Sequence, residues 1–181
     1  MKIELYLDEE DYLTYQLYTA STSERIKKKR KKSWIFTTIF FASLAFLFYV
    51  AMIHFLAVYF VIASVITLVL YPLYSRRKYK NYYKKYIQEN YQEVIGKRSE
   101  MEFYQDFISG RNETGESKIY TTDVKAIIEI STHFFIKLKS GPSIIINKAQ
   151  VTDIGEMIVY LQQLSKNLSI EISQELSWTW K

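Results

Sequence analysis

Cysteine is absent from the 181 residues of this chain, and glycine and proline are scarce, with five and two copies. The lack of cysteine excludes disulfide bonds, thiolate zinc sites and cysteine nucleophiles. The five glycines are scattered along the sequence, so it contains neither a phosphate-binding loop nor a dinucleotide-binding fingerprint. These absences exclude several common classes of enzyme and of secreted domain.

Charge is also absent, over the 43 consecutive positions from Ser33 to Ser75. A single helix of that length would run about 65 Å at ~1.5 Å per residue, whereas the hydrocarbon core of a bilayer is ~30 Å thick. We therefore predict a transmembrane hairpin over residues 33–75, with crossings near 34–50 and 55–73 and a tight turn at 51–54. A buried hairpin of a soluble protein is the alternative, but it would rarely lack charge over such a length.

Basic residues flank this segment on both sides, with seven in residues 25–32 and six in residues 76–85. Lys and Arg collect on the cytoplasmic side of membrane segments. We therefore predict a two-pass protein with both termini in the cytoplasm and His54 at the opposite surface. His54 is either a polar cap of the turn or a proton-linked group. The side chains expected at the interface with anionic headgroups are Lys27, Lys28, Lys29, Arg30, Lys31, Lys32, Trp34, Arg76, Arg77, Lys78 and Lys80.

The segment before the hairpin, residues 1–32, predicts a cytoplasmic strand and helix. Ile3, Leu5 and Leu7 alternate with polar positions, which is typical of a strand. Asp8 is a suitable N-cap for a helix whose first turn is acidic.

The segment after the hairpin, residues 76–98, predicts a basic juxtamembrane helix that ends near Gly96. Its tyrosines fall on one helical face, with spacings of three and four residues; they are Tyr79, Tyr82, Tyr83 and Tyr86. This face would lie in the headgroup layer, or it would pack on the soluble domain or the N-terminal helix, and the sequence does not choose between these positions.

Residues 99–181 predict a cytoplasmic α+β domain. Alternating apolar positions between residues 100 and 147 indicate an antiparallel meander with one apolar face. Asp153 and Glu156 have the spacing of a capping box, and the helix they begin carries an apolar stripe that can cover the sheet. The tail after Leu168, which ends Trp178-Thr179-Trp180, would form a further strand or dock on the membrane surface.

In this order of parts, the chain resembles the YcxB-like membrane proteins of bacteria. The resemblance rests on Phe103 with the Gly110 turn, on Val124-x-x-Ile127-x-Glu129, on Phe134-Phe135-Ile136 and on Ile144-Ile145-Ile146-Asn147-Lys148. It implies a C-terminal PH-like domain and a bacterial cell membrane as the location. The chain departs from the family pattern at Thr121, where an aromatic residue is usual, and at Asn147, where proline is usual. The family implies no settled biochemical activity.

The sequence offers no catalytic constellation. We predict that His54 and His133 lie on different sides or depths of the membrane, that His133 caps a turn, and that the acidic residues lie in strands and on exposed helix faces. Residues 86–181 hold thirteen acidic and ten basic residues, which disfavours nucleic-acid binding.

We therefore expect a membrane-anchored, non-enzymatic module without a cofactor, whose partners are the anionic bilayer and another protein. A role in envelope stress or self-immunity is a concrete version, and self-association stays open. The alternative is a lipid or small-molecule sensor that uses the PH-like domain.

Overall fold

The computed structural model describes residues 1–113 and 115–180, which form two compact units. Unit 1 consists of Met1–Tyr15 and Tyr86–Thr179, and unit 2 consists of Gln16–Lys85 together with Trp180. The described residues form four helices, α1 (Glu9–Thr22), α2 (Glu24–Val50), α3 (His54–Asn90) and α4 (Ile154–Leu168). They also form eight strands, β1 (Lys2–Leu5), β2 (Ser99–Phe103), β3 (Phe107–Asn112), β4 (Gly115–Tyr120), β5 (Val124–Ile130), β6 (His133–Leu138), β7 (Ser143–Asn147) and β8 (Ile172–Glu175).

The first sheet of unit 1 is antiparallel, with the strand order β1-β2-β3-β4. Its edge strand β1 comes from the N-terminus and pairs with β2 so that Ile3 lies opposite Met101. Residues 1–32, which we predicted as one segment, are therefore divided, since the first fifteen belong to unit 1 and the rest to unit 2. The apolar alternation of β1 finds its partner almost a hundred residues later in the chain.

The second sheet has the order β7-β6-β5-β8 and is not a pure meander. The strands β5, β6 and β7 are antiparallel neighbours, but β8 pairs in parallel with β5, with Ile127 opposite Ile172. The tail is thus a strand over Ile172–Glu175. It is parallel because α4 connects β7 to β8 and brings the chain back in the direction of β5, as a helical crossover does.

The core of unit 1 joins the inner faces of both sheets to α4. Three residues of α4 at helical spacing, Met157, Leu161 and Leu164, are buried in the same cluster as Phe103 and Phe134. Asp153 caps the helix, since its Oδ1 accepts a hydrogen bond of 2.9 Å from the backbone N–H of Glu156. Asp153 is therefore the N-cap of α4, the predicted apolar cover is present, and the fold class is α+β.

Unit 2 is dominated by the helical hairpin of α2 and α3. Ser23 separates α1 from α2, and the turn at Ala51–Ile53 reverses the chain, with Met52 in the left-handed region at a φ of 60°. Ala45 and Ala57 are buried between the helices, and the rings of Phe48 and Phe60 stack at 5.3 Å. By length and composition both helices are long and apolar enough to span a membrane, and only 6% of the most apolar 18-residue window of each is buried.

The helix α3 is longer than the second crossing we predicted. It continues from His54 to Asn90 without interruption, so the juxtamembrane segment is the end of this helix and not a separate one. It stops six residues before Gly96, the predicted end. Residues 91–96 form turns, and the backbone N–H of Gly96 donates to the carbonyl of Leu7 at 2.8 Å.

Candidate functional site

A cleft between the basic ends of α2 and α3 gathers several of the predicted interface residues. Ser23, Ile26, Arg30 and Ser33 recur at spacings of three and four residues, so they occupy one face of α2. Four tyrosines, Ser75 and Lys78 on the facing side of α3 complete the cleft, which has a volume of about 620 Å³. Its lining consists of Ser23, Arg25, Ile26, Lys29, Arg30, Ser33, Tyr71, Ser75, Lys78, Tyr79, Tyr82 and Tyr83.

Arg30 is the most enclosed basic side chain of this lining. Its Nε donates a hydrogen bond of 3.2 Å to the Oγ of Ser75, which is itself buried. The guanidinium carbon lies 5.6 Å from the ring centre of Tyr79 and 4.9 Å from that of Trp180. Burial lowers the pKa of Arg30, an effect that the neighbouring Tyr79 opposes and Arg76 reinforces. Arginine nevertheless stays charged in proteins, so a positive group is fixed inside the cleft.

Trp34, predicted as an interface aromatic, has a second role in the hairpin. Pro72 lies inside α3 and has no N–H, so the carbonyl of Leu68, four residues earlier, loses its helical partner. The Nε1 of Trp34 donates to that carbonyl at 3.2 Å. A side chain of α2 therefore replaces the hydrogen bond that the proline removes from α3.

The predicted interface residues fall into four groups, and Arg30 belongs to two of them. Lys29, Arg30 and Lys78 line the cleft, and a second, neighbouring cavity of about 260 Å³ is lined by Lys27, Arg30, Lys31, Trp34, Tyr71, Pro72 and Ser75. Arg76 contributes its carbonyl, which accepts a hydrogen bond of 3.2 Å from Nε1 of Trp180. The remaining members, Lys28, Lys32, Arg77 and Lys80, line neither cavity.

Tyr79, Tyr82 and Tyr83 face the cleft, whereas Tyr86 belongs to unit 1, where its ring lies 6.1 Å from that of Tyr91. Three tyrosines of this face therefore line the cleft of unit 2, and the fourth packs within unit 1. Burial raises the pKa of Tyr83, so its hydroxyl stays protonated and can donate a hydrogen bond at neutral pH.

Unit 1 contains a buried polar cluster that sequence reasoning missed. His133 and Asn147 lie opposite each other on β6 and β7, so their side chains emerge on the same face of the sheet. The first part of α1 covers that face and places Asp11 between them. Oδ1 of Asp11 lies 2.8 Å from Nε2 of His133 and accepts from Nδ2 of Asn147 at 2.7 Å.

Two predictions are wrong at this cluster. His133 is 4% exposed and packs inside the unit instead of capping a turn, and Asp11 is equally buried, not on an exposed helix face. Asp8 N–H also donates to Oδ2 of Asp11 at 2.8 Å. The acidic first turn of α1 predicts only the start of a helix. No local signal in the sequence joins Asp11 to His133, which lies 122 positions later.

This cluster has the components of an acid–base pair but not the access. The Nδ1 of His133 lies 2.7 Å from Oγ1 of the exposed Thr132, which makes a chain of three groups from Thr132 to Asp11. A substrate could not reach the aspartate and histidine, since both are almost completely buried. Among the described residues, no group of three His, Cys, Asp or Glu side chains could hold a metal ion. The arrangement therefore holds α1 on the sheet.

Unit 1 also has an open cavity of about 280 Å³ beside β1, β2 and β7. Leu5, Tyr12, Tyr91, Met101 and Ile144 are among its lining residues. It is smaller than the cleft of unit 2 and less charged.

Comparisons of the chain with protein-family models, with curated proteins and with solved structures find no match. The resemblance to the YcxB-like family therefore stays a prediction, and the function has to be argued from the geometry.

The Asp11 cluster predicts a pH-dependent stability. Burial alone would raise the pKa of Asp11, but the hydrogen bonds from His133, Asp8 and Asn147 outweigh it and lower the pKa below its ordinary value. The unfolded chain then binds the proton more readily, so this contribution is complete above an unfolded pKa of about 3.9 and is lost as the pH falls through the lower folded value.

We expect Asp11→Asn to unfold more easily at pH 7, by about 1–3 kcal/mol, because charge-assisted hydrogen bonds are lost. Its stability should also change less between pH 5 and pH 3 than that of the unmodified chain. Thermal unfolding of the full chain in detergent at several pH values measures both effects. Asp106→Asn, at an exposed position, is the control; equal pH profiles for the two variants would contradict the assignment.

The hydrogen bond from Trp34 predicts a coupling between two substitutions. Trp34→Phe leaves the carbonyl of Leu68 without its donor and should destabilise the hairpin by about 1 kcal/mol. Pro72→Ala restores the helical N–H to that carbonyl, so Trp34→Phe should cost less in that background. Unfolding of all four variants in mixed detergent micelles gives the coupling free energy, and simple additivity would refute the proposed replacement.

Proposed function

We propose that the chain is a two-pass integral membrane protein of the bacterial cell membrane, with both termini in the cytoplasm. We propose further that it is not an enzyme and that its α+β unit binds a partner protein near the membrane surface. The observation that carries the proposal is the exposed apolar surface of α2 and α3.

That surface is large and continuous along both helices. Phe36, Phe46 and Phe55 are 68%, 67% and 82% exposed, and many aliphatic side chains between them are more than half exposed. A soluble protein rarely leaves a contiguous apolar patch larger than a few hundred Å² in water. The helix pair buries its small residues against each other and directs its large ones outward, which is the arrangement expected in lipid.

Several polar groups within the hairpin have partners inside it, which also supports a lipid environment. Thr38 and Thr67 donate to carbonyls of their own helices at 3.0 and 2.8 Å, and Ser64 donates across to the carbonyl of Thr38 at 3.3 Å. The carbonyl of Leu68, which Pro72 leaves without its helical donor, accepts a hydrogen bond from Nε1 of Trp34. In a bilayer core each unsatisfied polar group would cost several kcal/mol, so these contacts lower the free-energy cost of inserting the hairpin.

The absence of cysteine makes a direct test of topology simple, since every single-cysteine variant has no background. His54 is the exposed first residue of α3, directly after the turn of the hairpin, and its ring centre lies 5.9 Å from that of Tyr49. We expect His54→Cys in intact cells to react with a membrane-impermeant maleimide, because the turn should face the outside.

The matched control is Ser140→Cys, in the exposed turn between β6 and β7. It should react only after the cells are permeabilised. If His54→Cys also required permeabilisation, the orientation would be wrong, and if both variants were released from membranes by carbonate, the membrane proposal itself would fail.

Partner binding by unit 1 is supported by the open edge of its first sheet. Among the described residues, β4 pairs with β3 alone, and its residues are exposed except for Ile119, which is partly buried. An exposed edge presents unpaired backbone groups to which an extended segment of another protein can add as a strand. Tyr120, at the end of this strand, is 55% exposed.

We expect a photo-crosslinking phenylalanine analogue in place of Tyr120 to give a discrete adduct in native membranes. The same analogue in place of Val159, which is exposed on α4, is the control. Adduct formation is followed by the shift of the full chain on a gel. Equal adducts at both positions, or none at Tyr120, would argue against edge-strand binding.

The PH-like fold remains part of this proposal. Two four-stranded sheets with a helix closing their core support it. The strand order departs from a simple meander, because β1 comes from before the hairpin and β8 is parallel to β5. The 280 Å³ cavity of unit 1 favours the alternative function, small-molecule sensing, and native mass spectrometry of the purified chain tests for a bound compound.

A further inference from the structure

We propose that the cleft between α2 and α3 is a binding site for the phosphate headgroup of an anionic phospholipid. The inference rests on the proposed membrane insertion. It goes further because it places the lipid headgroup in one defined site, whereas the basic flanks alone would attract anionic lipids diffusely.

The charge of the lining fits a phosphate. It contains four basic side chains, Arg25, Lys29, Arg30 and Lys78, and within the described part of the chain it contains no carboxylate. The hydroxyls of four tyrosines and three serines add neutral hydrogen-bond donors. Arginine and lysine with hydroxyl donors are the groups that bind phosphate oxygens in proteins, whereas a zwitterionic headgroup would place its own cation among these bases.

Arg30 is held in position before any ligand binds. Ser75 accepts from its Nε at 3.2 Å, and the rings of Tyr79 and Trp180 lie 5.6 and 4.9 Å from its guanidinium carbon. These contacts restrict a side chain that would otherwise lose much rotamer entropy on binding. Most basic residues of the same block, including Lys28 and Lys32, are exposed and have no such enclosure.

The position of the cleft favours a lipid over a free phosphate. Ser33 and Tyr71, which hydrogen-bond to each other at 2.6 Å, lie at the first uncharged turns of the hairpin. Arg30, Tyr71 and Ser75 also line the second cavity, where Trp34 and Pro72 supply apolar walls. The polar space thus adjoins the apolar helix faces along which acyl chains would lie, as an amphiphile requires.

The test is native mass spectrometry of the full chain in a neutral detergent, titrated with phosphatidylglycerol. Phosphatidylcholine of the same acyl composition and soluble glycerol phosphate are separate arms. The cleft variant is Lys29→Gln with Arg30→Gln, and the control is Lys28→Gln with Lys32→Gln. Both pairs lie on the same helix and remove the same charge, but only the first lines the cleft.

We expect the unmodified chain and the control to retain phosphatidylglycerol about equally. The cleft variant should bind it at least about tenfold more weakly, because it removes two basic groups and the loss of one charge-assisted contact already has about this effect. Equal losses in the two variants would overturn the proposal in favour of diffuse attraction. Equal binding of phosphatidylcholine would also overturn it, as would glycerol phosphate binding as tightly as the lipid.

Two further measurements keep the result interpretable. Lys29→Gln alone changes only an exposed side chain and should still weaken binding if the double variant does not fold. Membrane extraction and His54→Cys labelling of the same variants report insertion independently. A cleft variant that inserts normally but no longer retains the lipid supports the site, and a normally inserted one that retains it refutes the site without affecting the proposed membrane function.

Discussion

The packing of α1 on the second sheet of unit 1 depends on the hydrogen bonds that the carboxylate of Asp11 accepts. The N-terminal strand and the first part of α1 lie more than seventy residues before the rest of the unit in sequence. Asp11 joins them to the second sheet by accepting from His133 and Asn147 within 2.8 Å, while Asp8 holds its other oxygen. A buried charge is tolerable only when it is paired and hydrogen-bonded, so this contact requires one register of α1 on the sheet.

Unit 2 differs from unit 1, because most of the large apolar side chains on its two long helices are exposed. Its internal contacts are few and specific, with alanines where the helices approach, stacked phenylalanines near the turn, and Trp34 donating to the carbonyl that Pro72 leaves unpaired. Where the two helices leave the apolar zone, serines, tyrosines and Arg30 replace close packing. The cleft is the space that results from this change in side-chain chemistry.

We propose a different role for each of the two units. In the function that we propose, the hairpin is the membrane anchor and its basic end binds an acidic headgroup. In the same proposal, the exposed edge strand β4 of the α+β unit binds another protein. No catalytic role is proposed for the Asp11–His133 pair, because its burial excludes a substrate.

Composition and periodicity alone determined the 43-residue uncharged hairpin segment, the acidic start of α1, the helix start at Asp153 and the α+β class. These features are local, because each depends on neighbours within one or two turns or along one strand. Tertiary structure alone decided that β1 joins β2, that β8 runs parallel to β5, and that Asp11, His133 and Asn147 meet. It also decided which bases line the cleft, since Lys28 and Lys29 have the same chemistry and differ only in the helix face they occupy. Such choices depend on contacts between residues far apart in the chain, for which the sequence carries no local signal.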